Sequence, residues 1–249
     1  TRYPEELANE LQTHRRVLVH ASAGMGKSTT LQSLESFLPE GSAVILYDCY
    51  GGGASGVDRT IRSRAQDFIT QVTNELACRG LAPLMLRGQD DPEYRLRDFQ
   101  DVLARASSEV AARGGLLVIA ADAVDDAYDA RKGETWFLPE LGRIEWPAAA
   151  RLIISSRSHR LNDLPQQFAT RRFEIHGFNL KQSSEHLQQF WPNASERECR
   201  EFHLRTRGKD AGESAAPRVQ DYAIKSPGTT SAAMAVANAK GGWGKLMES

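Results

Sequence analysis

HASAGMGKSTT, residues 20–30, decides the fold. It departs from the pattern G-x-x-x-x-G-K-[ST] at the first position alone, where Ala21 replaces glycine. RRVLVH precedes it and reads as a buried strand; KSTTLQSLESFL follows and reads as a helix. Between a strand and a helix, backbone N–H groups of a glycine bend converge on one point, which is the environment a phosphate requires. Gly24 and Gly26 leave room at the bend, Lys27 reaches β- and γ-phosphates, and Ser28 is a Mg²⁺ ligand. Ala21 falls at the strand end, furthest from the γ-phosphate, where an added methyl group disturbs least. The nucleotide contacts expected on this reading are Ala23, Gly24, Met25, Gly26, Lys27, Ser28 and Thr29.

Outward from that stretch, apolar runs alternate with amphipathic ones. VLVH (17–20), AVILY (43–47), LLVIAA (116–121), RLIIS (151–155) and RFEIH (172–176) read as strands. The first four are mostly apolar, as parallel strands covered on both faces must be. Helical spacing of Ile61, Ala65, Phe68, Ile69, Val72 and Leu76 predicts a helix from Asp58 that Gly80 terminates. A second helix is expected from Pro92 to Arg113. This alternation predicts an α/β protein with a mostly parallel, doubly wound sheet. After Gly177 the strands stop, and helices opening at Asn179 and Ser195 form a small helical domain. The expected organisation is therefore 1–177, 178–225 and a low-complexity tail or new domain at 226–249. TRYPEEL lacks an initiator Met, so a module of a longer polypeptide is expected.

Two further strand ends carry chemistry. LLVIAADAVDDA (116–127) delivers Asp122 to the sheet's C-terminal edge, where ligands bind in such folds, and makes it the acid that holds Mg²⁺ through water. Asp125 and Asp126 follow within a turn; either can orient or deprotonate the attacking water, and Asp126 is favoured. An N-cap with a solvated acidic face is the blander alternative. ARLIISSRSHR (150–160) ends in Arg157, placed to reach a γ-phosphate from the strand beside Asp122, although a lone arginine there more often bridges to an acid. Other residues invite less. His20 reads as a packed or tautomer-fixed histidine, His14, His159, His176, His186 and His203 lack ligand spacing, and Trp136, Trp146 and Trp191 suit packing. The glycines after YDCY read as a flexible loop near the site.

In that order and spacing, ASAGMGKST, LVIAADAVDDA and LIISSRS resemble the nucleotide domain of P-loop NTPases of the STAND class, NACHT type. Asp122-Ala123-Val124-Asp125-Asp126 is similar to the family's acidic motif, and FEIHGFNLKQSSEHL to its exit into a small helical domain. ILYDCYGGGASG and ITQVTNELACRGLAPLML resemble a bacterial subset, the antiviral proteins that sense phage components. The resemblance implies an ATP-binding and hydrolysing switch using ATP and Mg²⁺, alternating ATP and ADP, and assembling into a homo-oligomer when another region meets a phage protein trigger. Two features depart from the family: Asp126 stands for the commoner Glu, and Gly208 and Pro217 are too far apart for the usual base-contacting Gly-x-Pro. A small-molecule kinase, an AAA+ motor or a non-hydrolysing scaffold are the competing readings.

Composition narrows the classes. With a net charge of −1, nothing global argues for a nucleic-acid or anionic-membrane partner, and no apolar run is long enough to span a bilayer. The three cysteines, Cys49, Cys78 and Cys199, are widely spaced, which suits reduced thiols in a cytoplasmic protein.

Overall fold

A computed structural model describes residues 2–50, 61–85, 91–130, 136–165, 168 and 171–207. Within them the chain divides after Ile175 into two units.

The first unit is built on five strands: β1 (Arg16–Ala21), β2 (Ala43–Asp48), β3 (Leu117–Asp122), β4 (Ala150–Arg157) and β5 (Arg171–Glu174). All pair in parallel, in the order β2-β3-β4-β1-β5. Parallel neighbours require crossovers, and these are helical: α1 (Tyr3–Thr13) precedes β1, α2 (Lys27–Ser33) follows it, and α3 (Ala65–Cys78) and α4 (Pro92–Ala112) join β2 to β3. The shorter α5 (Val124–Ala130) and α6 (Phe137–Gly142) lead towards β4.

Residues of a strand alternate between faces, and the core divides accordingly. Ala43, Ile45 and Tyr47 of β2, Leu117, Ile119 and Ala121 of β3, and Leu152 and Ile154 of β4 pack with α3, α4 and α6. Val17, Val19, Val118, Ala120 and Ile153 point the other way and pack with Leu7 and Leu11 of α1 and Leu31 of α2. Two apolar faces explain why the first four strands read as unbroken hydrophobic runs. The fifth, at the sheet edge, is mostly exposed and carries Arg171, Arg172 and Glu174.

Local signals account for several helix ends. Asp91 caps α4 by accepting from the N–H groups of Glu93 and Tyr94, and Pro92 fills the first position, where no N–H is needed. Gly80, just past α3, takes a φ of +71°. Two expectations are corrected. The helix foreseen from Asp58 begins only at Ala65: a 3₁₀ turn (Ile61–Ser63) and an extended Arg64 precede it, and Asp58 itself lies outside the described residues. The helix after the glycine bend is α-helical only to Ser33 and continues as a 3₁₀ turn over Leu34–Phe37. The sequence reading did not foresee α1.

In the second unit, α7 (Leu180–Phe190) opens with a reciprocal capping box between Asn179 and Gln182, and Ser195 and Glu198 perform a similar exchange at α8 (Glu196–Arg207). Leu187, Ala194, Cys199 and Phe202 form its small core, beside a buried hydrogen bond of 2.9 Å between Ser183 Oγ and His203 Nδ1. Gly208, Pro217 and the tail fall outside the described residues.

Candidate functional site

Because the strands are parallel, β1, β2, β3 and β4 all release their C-terminal residues at one edge of the sheet, and the chemistry gathers there. Residues 22–26 link β1 to α2. Gly24 (φ +77°) and Gly26 (φ +83°) take left-handed backbone that a side-chain-bearing residue rarely adopts. A Cβ at either would meet nothing within 4 Å, so the backbone angle, not crowding within the chain, requires glycine. Ala23, Gly24, Ser28 and Thr29 are exposed at this edge, while Met25 packs onto the core beneath. Ala21 is buried, and in register with Arg157 of β4.

Lys27 folds back over the bend. Its Nζ donates to the carbonyls of Ala21 (3.3 Å) and Ser22 (3.4 Å). Burial lowers its pKa, opposed by the negative charges of Asp125 and Asp122. A partly dehydrated ammonium beside carbonyl oxygens is a strong partner for an incoming anion.

Asp122 ends β3 and is 5% exposed. Its Oδ1 accepts a hydrogen bond from Ser155 Oγ. Asp125 is 1% exposed, on the first turn of α5. The Arg157 guanidinium straddles the two following acids: Nε donates to Asp125 Oδ2, and Nη2 to Asp126 Oδ1 at 2.5 Å. Burial acts against the charge on Arg157, but the hydrogen bond and charge of Asp125, with Asp126, outweigh it and push the pKa upward. In this structure, then, Arg157 grips the acidic segment.

A cavity of about 270 Å³ opens beside these groups, lined by Ser28, Gln32, Leu46, Asp48, Tyr50, Asp122, Ala123 and Asp126. Of the residues foreseen from sequence, Ser28, Asp122 and Asp126 face it together. Asp125 is enclosed against Arg157. Asp48 was not foreseen, although an Asp closing a parallel strand, in register with Asp122, is the same signal that marked Asp122 itself. Its Oδ1 accepts from the Tyr50 N–H at 2.8 Å, and Arg62 Nη1 donates to its carbonyl at 2.7 Å. Cys49, next to Asp48 in the chain, is a buried free thiol within the core; burial first, then Asp122 and Asp48, push its pKa well up, which disfavours the thiolate. His20 is packed, with Nδ1 3.1 Å from Ser158 Oγ, and Trp136 and Trp146 belong to the core.

Among the described residues no cluster of three or more His, Cys, Asp or Glu side chains could hold a metal alone. Mg²⁺ keeps several waters and takes one or two protein ligands plus phosphate oxygens. Ser28 and Asp122, which both line the cavity, fit that donor set. No described helix is long and apolar enough to cross a membrane.

No protein-family model matches the sequence, and neither does any curated protein. Among solved structures, a Walker-type ATPase of Pyrococcus abyssi is similar with a TM-score of 0.61 at 14% identity, over 100% of this chain and 75% of that one. The Aeropyrum pernix ORC1 protein in complex with DNA has a TM-score of 0.42 at 16% identity, over 76% of this chain and 47% of that one. The second likeness is too distant to add to the first, which speaks for the fold. With its five parallel strands and its glycine bend between β1 and α2, the chain has the α/β fold of the P-loop ATPases.

Proposed function

We propose that the chain binds ATP with Mg²⁺ and hydrolyses it slowly, as the nucleotide switch of a larger STAND-type protein. The observation that carries this reading is Arg157, which holds Asp125 and Asp126 beside the cavity that Ser28, Asp122 and Asp126 share. The outer arm of a guanidinium in that position has two alternative partners, Asp126 or a γ-phosphate, and a switch needs such an element with two arrangements.

The residues divide the work. Lys27 and the N–H groups of the bend hold the β- and γ-phosphates. Ser28 and Asp122 hold Mg²⁺, which when bound neutralises charge developing on the phosphates. Asp126, facing the cavity, aligns and deprotonates a water once Arg157 lets go of it; Asp125, enclosed, stays with the guanidinium. Release of Asp126 and capture of the γ-phosphate by Arg157 are one event, which couples nucleotide state to β4 and the chain beyond it.

Antiphage defence, with a homo-oligomer assembled when another region meets a phage protein, is supported by the resemblance of ILYDCYGGGASG and ITQVTNELACRGLAPLML to the antiviral STAND proteins. Size-exclusion chromatography with light scattering on the full-length protein tests the switch. Arg157→Lys keeps a cation beside Asp125 but loses the two-armed fork. It should bind ADP as the wild type does and fail to enlarge with ATP and trigger. Wild-type oligomers from this variant would refute the coupling.

A further inference from the structure

Ser155 lies within β4 and has no exposure to solvent. Its hydroxyl makes two bonds of opposite sense. Oγ accepts the Ala123 backbone N–H at 2.9 Å and donates to Asp122 Oδ1. With the amide taking a lone pair, the single hydroxyl hydrogen is directed to the carboxylate.

Ala123 supplies the second half of the arrangement. Among the described residues it is the one non-glycine with positive φ, at 56°. That is an uncommon conformation for a residue with a side chain. Here it directly follows Asp122, the last residue of β3, and precedes α5, with its N–H on the Ser155 hydroxyl. The serine thus closes a small circuit over two consecutive residues at the end of the neighbouring strand and just past it: the Asp122 side chain and the Ala123 backbone.

Asp122 is 95% buried by the complement of its 5% exposure, yet it and Ala123 line the cavity with Ser28. One carboxylate oxygen is held by Ser155, which leaves the other for the cavity. We propose that Ser155 is a positioning residue for the Mg²⁺ that accompanies the nucleotide: by holding Asp122 Oδ1 it fixes which oxygen Asp122 presents to the metal's water shell. This rests on the reading of the cavity as a Mg·ATP site. The partner that orients a metal-holding carboxylate governs metal affinity more than it governs binding of the remaining ligand.

The test separates metal from nucleotide. ADP and ATP binding are measured by calorimetry first in EDTA, then across a Mg²⁺ titration, for wild type, Ser155→Ala and Lys27→Ala. Ser155→Ala should need about 10–100-fold more Mg²⁺ for the same enhancement of ATP binding. In EDTA its nucleotide affinity should stay within about twofold of wild type, whereas Lys27→Ala should lose binding in both conditions. An unchanged Mg²⁺ requirement in Ser155→Ala overturns the proposal, and so does an equal loss of binding in EDTA, which would make Ser155 merely structural. A wild type that binds no nucleotide, or binds it without regard to Mg²⁺, removes the site reading and this proposal with it. If Ser155→Ala does not fold, Ser155→Cys decides, since it keeps the volume and weakens the donor; a wild-type Mg²⁺ requirement there is the contradicting result.

Discussion

Arg157 on β4 bridges Asp125 and Asp126 on α5, taking the buried carboxylate through Nε and the cavity-facing one through Nη2. The two acids are neighbours in sequence but not in environment: Asp125 is 1% exposed and fully enclosed, whereas Asp126 opens to the cavity. One guanidinium therefore joins an enclosed contact to one that opens on the cavity.

Removing the guanidinium leaves a buried carboxylate without its ionic partner, which costs about 1–3 kcal/mol for an unsatisfied buried group and more where it is charged. Arg157→Ala should lower stability by at least about 1 kcal/mol in urea unfolding. Asp125→Asn should be destabilising too. The double variant should lose less than the sum, by about 0.5–3 kcal/mol. Additive losses would show that the pair does not hold α5 to β4.

Asp126 and Asp122 should fail in different ways. Asp126→Asn removes the base and should slow single-turnover hydrolysis while Mg·ATP stays bound. Asp122→Asn should weaken the dependence on Mg²⁺ itself. A hydrolysis defect in Asp125→Asn with none in Asp126→Asn would reverse the assignment of the base.

Much of this site was legible in the sequence, and the limits are physical. Lys27, Ser28, Asp122 and Arg157 announce themselves because each follows or ends an apolar run, and a parallel sheet brings every such end to one edge. Ser155 gives no such signal. It is one serine in a buried strand, and its meaning depends on Asp122, 33 residues earlier in the chain. Helix α1 is harder to read for another reason: YPEELANELQT has a proline at its start and Leu7, Ala8 and Leu11 on one face, but Arg2 before it supplies no capping side chain, and its stability comes from packing against the sheet. The start of α3 was placed too early because Ile61 continues the helical spacing while the backbone at Arg64 is extended.

Ala21 is the departure from the phosphate-loop pattern, and its side chain points into the core, not towards the bend. Ala21→Gly should change ATP affinity less than tenfold, about 1.4 kcal/mol. Stability should fall by about 0.5–1 kcal/mol, the usual penalty for glycine within a strand. A tenfold shift in affinity by calorimetry would mean that position 21 governs the loop.

Affinity should also depend on pH through Lys27. Burial holds its pKa below the ordinary lysine value, and a bound phosphate, as an opposite charge, raises it again. Binding then takes up a proton as the pH nears the depressed value, so affinity falls as pH rises. Calorimetry at rising pH, up to the ordinary lysine pKa of about 10.4, should show this decline, and Lys27→Arg, which does not titrate there, should abolish it. A flat profile in the wild type would contradict the account of Lys27.

The most direct test of the central claim is a calorimetric titration of ATP, with Mg²⁺ present, into wild-type protein and Lys27→Ala. The bend and its lysine are the parts without which no other role assigned here has an object. A charge-assisted bond of this kind contributes about 1.5–3 kcal/mol, so the variant should bind at least about tenfold more weakly than the wild type. Equal ATP affinity in the two proteins would contradict the nucleotide site.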